Sequence, residues 1–231
     1  MRAPSEIIDL LQPLISIYFY DIQLKHRSVI ILSDNVAEIS CKLKILENNP
    51  GENVKKIDFP WLLERVKVPK KLNDELSKYH ELRNEFQRRS PFYTIEEKTC
   101  ADSVIATLDL IKWLWKKNAL KEIPDWVNCG LRVVKLFSSK GNIEKRNRLE
   151  KSILNDLDLY LDQKLIETNV LIDEDGILIK GDYTGSRIEK RLPRKSEAII
   201  QVCVPKFWTY LFHNHTSAFE QYLVELKIDE L

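Results

Sequence analysis

The chain has 231 residues, and Lys+Arg of 36 against Asp+Glu of 35 leaves a formal charge of +1. No chain-wide basic field therefore draws in nucleic acid, and any such binding has to come from local patches. With 44% hydrophobic and 31% charged residues, the chain can bury one full core, or a main core and a smaller one.

In chain order, the opening "SEIIDLLQPLISIYFYDIQL" reads as an amphipathic helix over about 5 to 24, capped by Ser5. Its apolar run is short and interrupted by Pro13, Glu6 and Asp9, which argues against a signal peptide and a membrane partner. Further helices are predicted over roughly 27 to 47, 58 to 66, 70 to 89 and 94 to 118. The breaks between them fall at "NNPGEN", Pro69 and "RSPFYT", and Thr94 followed by Glu96 and Glu97 looks like a helix start. Gly51 is the one glycine before residue 130, a scarcity that favours helices over hairpins.

A helix over about 125 to 138 and a charged one over 143 to 165 follow. The pattern then changes to strands, "NVLID", "ILIKGDY", "RIEKRL" and "AIIQVCV", with turns at "EDG" and "TGS", before a final aromatic helix. The expected fold is mainly α: a helical bundle over 1–122 followed by a smaller α+β domain over 123–231.

Two helices carry the polar residues of interest. In 70 to 89, Leu72, Leu76, Tyr79, Leu82 and Phe86 form one stripe, with Asp74, Lys78, Glu81, Glu85 and Arg89 opposite. A third row, His80, Arg83, Asn84 and Gln87, lies between them and puts Arg83 at the edge of the core. Arginine keeps its charge, so this position needs an acceptor. In 27 to 47, Val29, Leu32, Val36, Ile39, Leu43 and Leu46 make a main apolar face, while Asp34 and Glu38 sit among Ile30, Ala37, Cys41 and Ile45 on a second. These acids are the expected partners of Arg83, either as a structural ion-pair cluster or as part of a phosphate site.

"HRSVIILSDNVAEISCKLKI" followed by "LNDELSKYHELRNEFQRR" resembles the HEPN superfamily of small helical domains, over about residues 5 to 118. That family carries R-N-x-x-x-H, often R-N-x-x-Q-H; Arg83, Asn84 and Gln87 match, and Asp34 or Glu38 fits its usual acidic companion. The resemblance implies an antiparallel bundle that pairs as a homodimer and an RNA-associated role in a toxin-antitoxin, phage-defence or RNA-processing system. It implies metal-independent RNA cleavage, the arginine steadying the scissile phosphate and the histidine helping to activate the ribose 2′-hydroxyl. Here Arg88 stands in the histidine's place. It binds phosphate but cannot act as a base near neutral pH, which leaves the cleavage chemistry impaired. His80, one turn before Arg83 on the same row, is the geometric substitute. The rival expectation is a non-catalytic dimeric scaffold whose C-terminal domain binds a protein partner.

Other features are weaker. "TGSRIEKRLPRK" supplies Arg187, Lys190, Arg191 and Arg194, a phosphate-tracking surface or an edge strand protected by charge. Cys41, Cys100, Cys129 and Cys203 are too far apart for a zinc knuckle or redox pair and read as reduced thiols in a cytoplasmic protein. His213 and His215 point apart on a helix, and "DEDG" lacks the later glutamate of a calcium loop. No metal and no cofactor is expected.

Overall fold

The computed structural model describes residues 3–19, 25–88, 95–116, 119–152, 170–173, 176–183, 186–192, 212, 216–225 and 227–228. These residues are mainly helical. In α1 (Ser5–Phe19), Ile7, Leu11, Leu14, Ile15 and Tyr18 recur at helical spacing and are buried. Ser5, expected as the cap, is instead the first helical residue, and its hydroxyl donates to Glu6 Oε2 at 3.3 Å. The first-turn N–H groups of Ile7 and Ile8 go to the Pro4 carbonyl, at 3.0 and 3.5 Å. Residues 20–24, expected to extend this helix, lie outside the described residues.

Helix α2 (Lys25–Asn48) is the centre of the first unit, packing on α5 (Glu97–Trp115), α4 (Lys70–Arg88) and α3 (Phe59–Arg65). Sequence and structure differ here on which face goes deepest. Of the row expected to be the main one, Val29 and Val36 are buried, but Leu32, Ile39, Leu43 and Leu46 are only half-buried. The acid-bearing face is buried at Ile30, Asp34, Ala37, Cys41 and Ile45.

The residues of α5 supply part of the reason. Its buried surface includes Cys100, Ala101, Ser103, Ala106 and Thr107, small enough to sit close against Ser33. The hydroxyls that enter this contact are satisfied mostly by carbonyls: Thr107 Oγ1 donates to Ser33 O at 3.1 Å, and Ser103 Oγ to Cys100 O at 2.7 Å.

Helix α3 admits Pro60 because its missing N–H falls among the unpaired donors of the first turn. It closes with Lys67 at a φ of 55°, the Lys67 N–H reaching Glu64 O at 2.9 Å and the Val68 N–H reaching Leu63 O at 3.1 Å. This is the paired C-terminal closure that glycine usually makes. Helix α4 buries Leu76, Tyr79 and Phe86 and half-buries Leu72 and Leu82, with Asp74, Lys78 and Glu81 exposed. Helix α5 starts at Glu97 rather than 94, and the Thr94 start lies outside the described residues.

The chain divides into two compact units, the first running as far as Gly141, beyond the composition change near residue 122. Helix α6 (Asp125–Phe137) extends it, burying Val127, Leu131, Val133 and Val134 and packing on α5. The turn after α6 is pinned back to α4 and α5. Lys140 reaches Glu75 at 3.0 Å and Asp109 at 2.8 Å, and the Ser139 N–H donates to Asp102 Oδ1 at 2.6 Å.

The second unit holds residues 19–21 and 142–230. Residues 143–152 are helical, and the rest of the expected 143 to 165 helix lies outside the described residues. A three-stranded antiparallel meander follows: β1 (Val170–Asp173), β2 (Gly176–Tyr183) and β3 (Ser186–Leu192). Its register sets Lys180 opposite Glu189 and Asp182 opposite Arg187, opposite charges at facing positions. A helix, Thr216–Glu225, buries Phe219, Tyr222 and Leu223, and Phe19 stacks on Phe212 with ring centroids 4.3 Å apart. The expected strand "AIIQVCV", Cys203, Arg194, His213 and His215 lie outside the described residues. Among the described residues no helix is long and apolar enough to cross a membrane.

A Cβ at Gly141 would lie 2.2 Å from the Leu136 carbonyl oxygen, a backbone atom that cannot swing aside. Gly141→Ala is expected to lower unfolding free energy by about 1–3 kcal/mol in urea denaturation. Gly51→Ala, at φ +101° with nothing within 4 Å, is the backbone-strain reference at about 1 kcal/mol. Wild-type stability in Gly141→Ala would show that the 136–141 turn opens without cost.

Candidate functional site

Asp34 on α2 and His80 and Arg83 on α4 meet at the interface of the two helices. The Asp34 side chain is 1% exposed. His80 Nδ1 lies 3.0 Å from Asp34 Oδ1 and 3.2 Å from Oδ2, and Arg83 Nη1 lies 3.4 Å from Oδ2. The one-turn spacing of His80 and Arg83 brings both side chains to the same carboxylate. Phe59, the first residue of α3, stacks on the His80 ring with centroids 4.9 Å apart and planes 28° apart. One side of the imidazole is thus walled by an aromatic ring and its Nδ1 is fixed by a carboxylate.

Burial pushes the Asp34 carboxyl above its ordinary range, His80 and then Arg83 pull it down, and the charge of Glu38 pushes it up again. Burial outweighs both. With Asp34 ionised, Nδ1 of His80 has to carry the proton, because a carboxylate only accepts. Arg83 Nε is buried without a hydrogen-bond partner among the described residues.

Of the two acids expected beside Arg83, the structure brings Asp34. Glu38 turns along its own helix and pairs with Lys42, one turn on, and reaches the site only through its charge. Asn84 is half-buried and stands outside the bonded group. Gln87 and Arg88 occupy the last turn of α4. Arg187, Lys190 and Arg191 fall on β3, in the second unit. Groups of His, Cys, Asp and Glu able to hold a metal ion are absent among the described residues.

No family model, curated protein or solved structure matches the chain.

Two aromatic residues of α3 escaped the sequence reading. Phe59 contacts His80 directly, and Trp61 is exposed two residues on. The available signal was "KKIDFPWLLERVK", where aromatic and basic residues alternate in a segment too short for a strong periodicity. A second titratable group, His26 at the start of α2, is also placed by the fold: its Nδ1 lies 2.9 Å from Ile95 O, and Nε2 stands 4.0 Å from Glu97. Burial lowers its pKa.

Arg83→Ala takes a cation from a buried carboxylate and is expected to cost about 1–3 kcal/mol at pH 7. Removing the cation raises the folded-state pKa of Asp34 further. The cost is therefore full where folded Asp34 is ionised in both proteins, and it fades as pH falls through that raised range and the folded carboxyl takes up its proton in the wild type as well. Unfolding measured from pH 7 down to 4 checks the trend. In a double-mutant cycle, Asp34→Asn is expected to recover much of the loss. A cost that does not change with pH would mean that Arg83 acts through packing alone.

Proposed function

We propose that the protein is an RNA-associated module with a HEPN-like helical bundle, joined to a smaller α+β C-terminal unit, and that it acts in a toxin-antitoxin, phage-defence or RNA-processing system. The observation that supports this reading is the grouping of His80 and Arg83 on one buried carboxylate. One carboxylate holds an arginine, which suits a phosphate contact, and an imidazole, which suits proton transfer, one helical turn apart, and these are residue types that chemistry at an RNA phosphodiester uses. In this reading Arg83 and Arg88 contact phosphate, Asp34 orients His80 and Arg83, and Asn84 and Gln87 order the helix pair or the RNA. Arg88 stands where the resemblance places a histidine, and the ribonuclease chemistry is impaired for that reason.

Pairing of two copies through the bundle belongs to the same proposal. The half-buried apolar row Leu32, Ile39, Leu43 and Leu46 along α2 supports it. The burial of Asp34 favours a second reading, a non-catalytic scaffold in which the same triad joins α2 to α4 and the C-terminal unit takes a protein partner.

RNA binding and cleavage, measured on purified protein with mixed cellular RNA and chelator present, separate the two. Affinity is expected to fall steeply with salt, and Arg83→Ala to weaken it while reducing the slope of log affinity against log salt by about one. The wild type is expected not to cleave, and Arg88→His to gain cleavage. Binding that stays flat between low and moderate salt would sink the RNA reading. Wild-type cleavage lost in His80→Ala would keep it and make His80 the working base.

A further inference from the structure

Helix α3 carries two aromatic residues in its first turn, and they face different surroundings. Phe59 is 3% exposed and stacks on His80, whereas Trp61 is 65% exposed. Trp61 stands in an open groove of about 510 Å³ lined by Glu52, Lys56, Ile57, Asp58, Trp61 and Arg65. Arg65 is held in the groove by Glu52, at 3.2 Å.

The lining itself is balanced, Lys56 and Arg65 against Glu52 and Asp58, but the segment that carries it is basic. Between residues 52 and 71 the lysines and arginines are Lys55, Lys56, Arg65, Lys67, Lys70 and Lys71, against Glu52, Asp58 and Glu64, six cations to three acids and a local charge of +3. The whole chain carries +1, so this segment is the kind of local patch that nucleic-acid binding requires here. All six cations are exposed. An indole in water that shares its groove with Lys56 and Arg65 offers a π-face for a base and charges for the phosphates on either side. A duplex keeps its bases stacked on one another, so the complementary ligand is single-stranded.

We infer that the Trp61 groove is a base-stacking subsite for single-stranded RNA, in which an unpaired base lies on the indole of Trp61 and Lys56 and Arg65 contact the neighbouring phosphates. The inference rests on the RNA reading above and adds to it where the strand runs. Phe59 links the two places: the same turn of α3 that presents Trp61 to the groove also walls His80.

The test is fluorescence anisotropy with a labelled single-stranded uridine-rich RNA, and competition by inorganic polyphosphate, which has the charge and lacks the bases. Trp61→Ala is expected to weaken RNA binding about tenfold or more and to leave polyphosphate binding unchanged, while Trp61→Phe retains most of the RNA affinity. Since Trp61 is exposed, its removal leaves the core intact, and a circular dichroism melt of each variant verifies this. RNA affinity unchanged in Trp61→Ala overturns the proposal, as does an equal loss for RNA and polyphosphate. If Trp61→Ala binds normally and Arg83→Ala does not, this subsite fails while the RNA reading stands. A loss in Trp61→Ala alone supports the subsite and removes the Arg83 site from RNA binding. A wild type that binds no RNA overturns both.

Discussion

A carboxylate taken out of water persists with cations against it or with a proton on it. Asp34 is placed under that constraint by the packing of α2, whose deeper face carries it between α4 and the small-residue surface of α5. His80 and Arg83 answer the constraint from α4. The consequence reaches beyond a pair energy, which for buried ions is often close to zero. An ion triad has a narrow geometry, so it fixes the rotation of α4 about its own axis and, through Phe59 on His80, the position of the first turn of α3.

The same packing explains why α2 has no fully solvated side over most of its length. Small residues on α5 allow close approach, and the hydroxyls brought in with them donate to neighbouring carbonyls. One exception remains: Ser40 Oγ is buried with no partner among the described residues. On the far side of the helix Leu32, Ile39, Leu43 and Leu46 stay only half-buried. Alternation of a deep polar-containing face and a shallow purely apolar one is the reverse of an ordinary amphipathic helix.

That reversal marks where the sequence was readable and where it was not. Periodicity located the helices, because spacing of three and four residues survives whatever the partner is; the α4 stripe Leu76, Tyr79 and Phe86 is buried as its spacing requires. Periodicity did not rank the two faces of α2, since depth depends on the size of residues on α5, some seventy positions away in the chain. It left Asp34 and Glu38 as equals for the same reason. Only the fold decides that Asp34 meets His80 and Arg83 while Glu38 turns to Lys42. The boundary is a similar case. Composition changes near residue 122, but α6 buries its apolar face on α5 and the Lys140 pairings extend the first unit to Gly141.

Whether the triad joins helices or serves a ligand depends on how much of each side chain Asp34 occupies. His80 meets Asp34 through Nδ1, and Phe59 stacks on the ring. Arg83 has five N–H donors in a planar fork, and its ion pair with Asp34 is made through Nη1 at 3.4 Å, with the side chain 23% exposed. A purely structural arginine would be expected to turn its fork flat onto the carboxylate and bond it twice. The geometry instead orients both groups, and among the described residues Arg83 Nε has no hydrogen-bond partner. On the RNA reading proposed above, these are the groups that a phosphate would meet.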